Sequence, residues 1–283
     1  MNPETYSIQI DVRSTLVGSL YARAKYSQLY PEILEDSKAV KLIEEVKKKH
    51  PESQLEFSKM EEFIDEFYGL SFINRARVFD DAIRDFLEFH PHATVVNLGC
   101  GLDTTFTRVD NGKLRWFDLD LPDVIEYRKT LLQKTERNRF IPKSIFDFTW
   151  FDDVKPIKEG IFFIAGGLFQ YFSEEQISDL IIRMSKEFSK GELLFDNPSS
   201  FGNKVINKRF SKKGVTGIGF DFSVNNPEKL VRKWSNNIIL VNSFPVFSKI
   251  PRKRSWKTKT KVMISLSTKL KLVKFVHLRF NPL

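Results

Sequence analysis

Cysteine is nearly absent from this chain. Cys100 is the only one in 283 residues, and the four histidines (His50, His90, His92 and His277) are scattered without metal-ligand spacing. An intrachain disulfide is therefore excluded, a structural zinc site is not expected, and no metal is assigned. Long apolar runs are missing as well. The longest, residues 160–169, reaches only about half of the roughly 20 residues that a spanning helix needs. The first ten residues carry Glu4 and no basic stretch ahead of an apolar one, so no secretory signal is expected and the expected location is cytoplasmic. Internal repeats and low-complexity tracts are lacking too. Acidic residues stop at Glu228: residues 229–283 hold 14 Lys and Arg and no Asp or Glu, while the rest of the chain holds 31 basic residues against 36 acidic. The formal charge of +9 thus combines a strongly basic tail with a mildly acidic body. Such a tail is a solvated surface, or it meets nucleic acid, an anionic membrane or an acidic substrate. The solvated reading is the expected one.

What is present is ample core material, 41% hydrophobic with 27 Phe, enough for one large domain or a domain with a lid. Up to about residue 90 the apolar period is helical. Val40, Ile43 and Val46 share one stripe of a charged helix at 38–49 that stops at His50-Pro51, and Phe72, Ala76, Phe79, Ile83 and Phe86 form the buried face of a longer helix ended by Pro91. The period then changes. Short apolar runs at 94–98, 114–117, 139–142, 161–165 and 192–196 read as strands, separated by helical stretches at 122–137 and 173–189, with Ser173 and Gln176 in a capping-box pattern. That alternation predicts an α/β fold, a doubly wound, mostly parallel sheet with helices on both faces. Between 198 and 222 the apolar period fades amid Gly202, Gly214, Gly217 and Gly219, the pattern of a flexible insertion or lid, which we extend to about 198–235 to include a short helix at 227–234. Beyond it, Ile238 to Val241, the alternating Val262, Ile264 and Leu266, and the alternating Val276, Leu278 and Phe280 read as closing strands, an antiparallel pair among them. The expected organisation is an amino-terminal helical cap, 1–90, packed on a core of 91–283.

The segment richest in chemistry is Gly99-Cys-Gly101-Leu-Asp103, directly after a predicted strand. Glycines there let backbone approach a nucleotide-like ligand at the carboxyl end of the first strand. About twenty residues on, at the end of the next strand, stand Asp118 and Asp120, where an acid accepts hydrogen bonds from ribose hydroxyls. A nicotinamide dinucleotide and S-adenosyl-L-methionine both suit this pairing. The dinucleotide fingerprint wants a third glycine where this chain has Thr104, and Asp103 would repel a phosphate, so S-adenosylmethionine is preferred.

Five ordered motifs sharpen this reading: INRARVFDD (73–81), VNLGCGLDTTFTR (96–108), WFDLDLPDVIEYRK (116–129), SIFDFTW (144–150) and FIAGGLFQYFSEEQI (163–177). Together they resemble the leucine carboxyl methyltransferase family, in particular the bacterial branch with the tetracenomycin-type polyketide O-methyltransferases. The resemblance begins near SLYARA (19–24) and runs through Trp234. It implies a class I methyltransferase fold of seven strands and S-adenosylmethionine as cofactor. It also implies that Arg75 holds the methionyl carboxylate, that Gly99 and Gly101 form the glycine loop and that Asp120 binds the ribose. Asp118 either shares that work or shapes the loop. By the same resemblance Asp147 and Phe148 read the adenine, and Tyr21 and Arg23 lie in a segment that folds over the cofactor, Tyr21 toward the substrate. Tyr171 faces the methyl group or packs. One departure stands out: Gly166 occupies the place of a family glutamate that contacts the cofactor.

Methyl transfer to a carboxylate or acidic phenol needs alignment rather than a dedicated base. No catalytic residue is therefore nominated, and Asp221 and His277 have structural readings at least as good. The expected activity is O-methylation of a small, polyketide-like or other secondary-metabolite acceptor, anionic or delivered on a carrier protein. The competing expectation, motivated by Gly166 and the acid-free tail, is an inactive methyltransferase-like protein that binds a polyanion or membrane. A nicotinamide oxidoreductase is a third and weaker reading.

Overall fold

The amino-terminal third is helical because its apolar residues recur every three or four positions. The computed structural model describes residues 8–9, 12–50, 54–212, 215–216 and 219–282. After a two-residue strand, β1 (Ile8–Gln9), come α1 (Val12–Leu29), α2 (Ser37–Lys49), α3 (Gln54–Phe63) and α4 (Glu66–Phe89). Asp36 caps α2 by accepting from the Ala39 N–H, and Asp65 caps α4 by accepting from Tyr68. Both helices end at the histidine before a proline, as predicted.

The chain then alternates: β2 (Thr94–Leu98), α5 (Thr105–Val109), β3 (Arg115–Asp120), α6 (Pro122–Lys129), β4 (Asn138–Pro142), α7 (Trp150–Asp153) and β5 (Ile161–Ala165). A 3₁₀ turn at Phe169–Tyr171 leads to α8 (Glu174–Glu187), β6 (Glu192–Pro198), α9 (Ser200–Lys212), β7 (Val215–Thr216), α10 (Pro227–Trp234), β8 (Ile238–Pro245), α11 (Thr258–Lys269) and β9 (Val273–Phe280). The capping box at Ser173 and Gln176 is formed. Seven strands make the main sheet in the order β4-β3-β2-β5-β6-β9-β8; the first five are parallel, and β9 runs antiparallel to both its neighbours. Strands β1 and β7 pair separately.

Every residue of β2 and β5 is buried, as parallel strands covered on both faces require. Val95, Phe162, Ile164, Leu194 and Phe275 share a core with α1, α2, α4 and Ile264 of α11. Val96, Phe117, Phe163, Leu193 and Phe195 share the other with Trp150 and with Ile177, Leu180, Ile181 and Met184 of α8. Because β3 and β4 lie to one side of β2 while β5 and β6 lie to the other, a crevice opens at the carboxyl ends of β2 and β5, where doubly wound sheets bind ligands.

Two expectations are corrected, and a third segment gains an element that its pattern did not announce. The helix predicted over 122–137 ends at Lys129, where Leu131 and Leu132 turn inward and both donate to the Arg128 carbonyl. The alternation at 262–266 is no strand but part of α11. Its buried stripe is Thr260, Ile264 and Ser267 at spacings of four and three, while Val262 and Leu266 face out, so apolarity misreports which side is inside. The segment with fading period contains a 13-residue helix, α9, in which Gly202 packs so close to the Leu272 carbonyl that a Cβ would collide with it. Gly214 and Gly217 lie outside the described residues.

Candidate active site

The glycine loop after β2 turns with Gly99 at φ +63° and Gly101 at φ +47°, a left-handed conformation that side chains resist. The N–H groups of Gly99 and Cys100 both donate to the Leu119 carbonyl, at 2.8 and 3.2 Å, which ties the loop to the end of β3. At that end the Asp120 carboxylate accepts from the N–H groups of Gly101 and Leu121, both at 2.8 Å, and lines the crevice. Burial holds its pKa above the ordinary 3.8, although both N–H donors pull the other way.

Asp118, two residues earlier, is fully buried below the loop. It accepts from the Trp116 indole at 2.8 Å and from Arg128 Nη2 at 2.7 Å, and Arg128 Nη1 donates to the carbonyls of Gly101 and Asp103, each at 2.9 Å. The pair therefore props up the loop. Asp103 accepts from Asn97 at 3.1 Å and from the Thr105 N–H at 3.0 Å. Burial would raise its pKa, but Arg23 and Arg108 nearby hold it below 3.8. A second buried network joins α2, α4 and α5: Arg108 reaches Asp80 and Asp36, both at 2.7 Å, and Thr104 donates to Asp36.

On the other side of the crevice, β5 runs into Gly166 and Gly167. The Gly167 N–H donates to Asp196 at 2.7 Å, and the other Asp196 oxygen lies 3.6 Å from Arg75 Nη1. The Arg75 guanidinium stacks 4.9 Å over the Phe72 ring. A Cβ at Gly166 would lie 3.0 Å from the Phe79 ring, so a larger side chain there requires that ring to shift.

These groups line one cavity of about 1800 Å³, well above the ~300–1,000 Å³ of an ordinary small-ligand pocket. From its polar end a run of aromatic rings leads away. Tyr171, Phe220, Phe210, Phe63, Tyr68, Phe67 and Phe247 each lie 5.2–6.3 Å from the next, and all seven line the cavity. They come from five separate stretches of chain. Among the described residues no group of His, Cys, Asp and Glu is placed to hold a metal, and no helix is long and apolar enough to cross a membrane.

A family model for leucine carboxyl methyltransferase matches residues 16–185. The chain belongs to that family. A curated relative, the tetracenomycin polyketide synthesis O-methyltransferase TcmP of Streptomyces glaucescens, is 30% identical over 224 residues, 77% of each chain. Among solved structures, a candidate methyltransferase from Thermobifida fusca superposes with a TM-score of 0.59 at 14% identity, covering 81% of this chain and 89% of its own. A DUF574-family protein from Streptomyces avermitilis gives 0.57 at 10% identity, covering 92% and 97%. Both structures support the class I methyltransferase fold. The chain is an S-adenosylmethionine-dependent methyltransferase.

Several residues singled out from the methyltransferase motifs meet in the cavity: Arg23, Arg75, Gly99, Gly101, Asp120, Gly166 and Tyr171 all line it. Others do not. Asp118 has no access, being spent on Arg128, Trp116 and Asn97. Asp147 is exposed and accepts from the backbone N–H and hydroxyl of Thr149, capping the turn before Trp150, and the Phe148 ring lies under Arg183, 4.6 Å away. In their place Ser144 and Ile145 line the cavity, three residues earlier in the same loop. Tyr21 lines a separate cleft of about 760 Å³ with Lys25 and Glu61, because its side of α1 faces α3. His277 binds Glu192 at 2.7 Å, away from the cavity, and Asp221 is exposed. Sequence reasoning missed Asp196 and Gln170. Gln170 is buried beside the cavity with its side-chain oxygen unpartnered. The signal for Asp196 was available, an acid at the carboxyl end of a strand, as at Asp120.

Proposed function

We propose that this methyltransferase transfers its methyl group to a carboxylate or phenolate oxygen of a small, largely apolar and aromatic acceptor. The observation that carries the reading is the single cavity that joins the glycine loop to the run of aromatic rings. The curated relative, an O-methyltransferase of polyketide synthesis, supports the choice of oxygen and of a polyketide-like body.

The residues at the polar end suit S-adenosylmethionine. Backbone is open at Gly99 and Gly101, a carboxylate with lone pairs to spare stands at Asp120, a guanidinium at Arg75 and an unpartnered acceptor at Gln170, while Asp103 and Asp120 disfavour a phosphate. When bound, this cofactor supplies a sulfonium-activated methyl group. In our reading Asp120 takes the ribose hydroxyls, Arg75 takes the methionyl carboxylate while Asp196 orients it, and Ser144 and Ile145 wall the adenine side. Arg23 staples α1 to the loop by donating to the Leu102 carbonyl at 2.8 Å, and Leu16 of α1 lies over Gly101. The aromatic rings exclude water and hold the acceptor so that its oxygen meets the methyl carbon in line, and alignment of this sort is the largest part of such catalysis. Residues 1–90 then act as cap, and 198–235, which supply Phe201, Phe210 and Phe220, as the lid over the acceptor.

The test is transfer of label from S-adenosylmethionine to a panel of hydroxylated aromatic acids and phenols, with the products resolved by mass spectrometry. Esters or ethers should form, and Arg75→Ala and Asp120→Ala should suppress them. Methylation on nitrogen or carbon alone would overturn the proposed acceptor oxygen.

A further inference from the structure

Helices α9 and α11 meet at the mouth of the cavity. The Ser199 N–H, just before α9, donates to the carbonyl of Leu272, just after α11, at 2.9 Å. Phe201 and Val205 of α9, Leu266 of α11 and the adjoining Leu270 line the cavity and yet are between 38% and 52% exposed. Side chains with one flank in a cavity and the other in water are its rim. The apolar lining therefore continues outward onto the surface.

Charge follows the same two helices. Phe201, Val205, Lys208 and Lys212 recur at spacings of four, three and four on α9, and Lys259, Val262, Leu266 and Lys269 at three, four and three on α11. Each helix thus presents an exposed stripe of two apolar residues with lysines beside them. Neither helix contains an acidic residue. Among the described residues Lys204, Lys208, Lys212, Lys259 and Lys269 make no ion pair, and all 36 acidic residues of the chain lie outside these two helices.

We propose that this rim docks on a bilayer containing anionic phospholipid and that the acceptor enters the cavity from the bilayer. Exposed apolar side chains flanked by lysines are what an interfacial helix pair needs: the apolar groups enter the acyl boundary and the ammonium groups stay with the headgroup phosphates. A second copy of the chain is disfavoured as occupant, because a symmetric contact would set the two lysine sets against each other. The membrane also accounts for the continuity of the rim with the cavity lining. An acceptor that fills an apolar cavity resides in lipid, and across this rim it passes without crossing water. The purpose assigned to docking rests on the apolar-acceptor reading; docking itself is measured without turnover.

The experiment is flotation of the full chain with vesicles of phosphatidylcholine alone and with about one-third phosphatidylglycerol, in low and high salt. Binding is expected to the anionic vesicles only, and to fall with salt. Lys259→Glu with Lys269→Glu should lower it by about tenfold or more, since each lysine near an anionic surface contributes severalfold. Val262→Glu should lower it further. None of these three positions lines the cavity, so calorimetric binding of S-adenosylhomocysteine by each variant should match the parent and show the site intact. Absence of flotation with anionic vesicles in low salt, equal flotation with neutral ones, indifference to the three substitutions, or saturable capture of an acidic carrier protein in place of vesicles would each overturn the docking proposal. All of them would leave the methyl-transfer reading standing.

Discussion

The two ends of the cavity are built by opposite means. At the polar end a few residues in two adjacent strands and their loops are held several times over: Asp120 by two backbone N–H groups, the loop by Leu119 from one side and by the Arg128–Asp118 pair from below. At the aromatic end charge enters sparingly: Arg209, paired with Asp65 at 3.6 Å, stacks over the Tyr68 ring at 3.8 Å and the Phe63 ring at 5.1 Å. Otherwise rings from α3, α4, the 3₁₀ turn, α9 and two later loops lean on one another, and shape comes mainly from packing. A site for an invariant ligand can be specified by directional bonds, whereas a site for an apolar body is specified by volume, and volume tolerates substitution better than a hydrogen-bond network does.

The largest effect expected from this contrast is at Arg128. Arg128→Ala leaves Asp118 buried and unpaired and should cost about 3–5 kcal/mol of stability in denaturant unfolding. A loss below about 1 kcal/mol would mean that the polar end is not rigidly held. Next comes Asp120→Ala, which removes the charged acceptor proposed for the ribose and should weaken S-adenosylhomocysteine binding by about 10–100-fold in calorimetry, from about 1.5–3 kcal/mol. Phe210→Ala, at the aromatic end, should raise the acceptor KM by about tenfold through roughly 1.5 kcal/mol of lost apolar contact, with cofactor affinity unchanged. If cofactor affinity fell equally, the two ends would not be separable.

A pH series separates two windows at the polar end. In the proposed site Asp120 takes the ribose as a carboxylate, and burial sets its pKa above 3.8, so cofactor affinity should decline as pH falls through that raised value. Its own linkage to folding has the other sign, because a raised carboxylate binds its proton more tightly in the folded state and favours that state as pH falls. Asp103 and Glu192 are depressed, the first by Arg23 and Arg108 and the second by His277 and Arg279, both against the effect of burial. Their stabilisation is present above the ordinary 3.8 and 4.5 and is lost as pH falls through lower, folded-state values. Affinity should therefore fail at a higher pH than the fold, and in Asp120→Asn the affinity step should vanish. The smallest effect is expected at the surface: Asp179→Ala breaks an exposed pair with Arg183 and should shift stability by about 0.5 kcal/mol or less.

The strands β2 and β5 and the glycine loop were legible because their signals are local: an unbroken apolar run, two glycines, an acid at the end of the next strand. The same locality explains the errors. Asp118 and Asp120 are equivalent as sequence and share one face of β3, but Asp118 lies back under the loop against Arg128 while Asp120 stands at the strand's last residue, beside the crevice. Asp147 was placed by motif spelling, and the loop's turn at Thr149 carries it outward while Ser144 and Ile145 stay inside. In α11 the buried residues are Thr260, Ile264 and Ser267, so the apolar alternation at 262–266 gave the period of a strand where the chain is helical, and of its three apolar residues only Ile264 is inside.

By itself the sequence determined the doubly wound order of elements, the family and the polar end of the site, because backbone periodicity, glycine conformation and strand-end acids act over a few neighbouring residues. Only the tertiary structure decided the aromatic wall, the pairing of Asp196 with Arg75 and the exposed rim of α9 and α11. Those depend on side chains from distant segments, such as Phe63 and Phe210 or Ser199 and Leu272, meeting in space, and the chain's local pattern carries no record of that meeting.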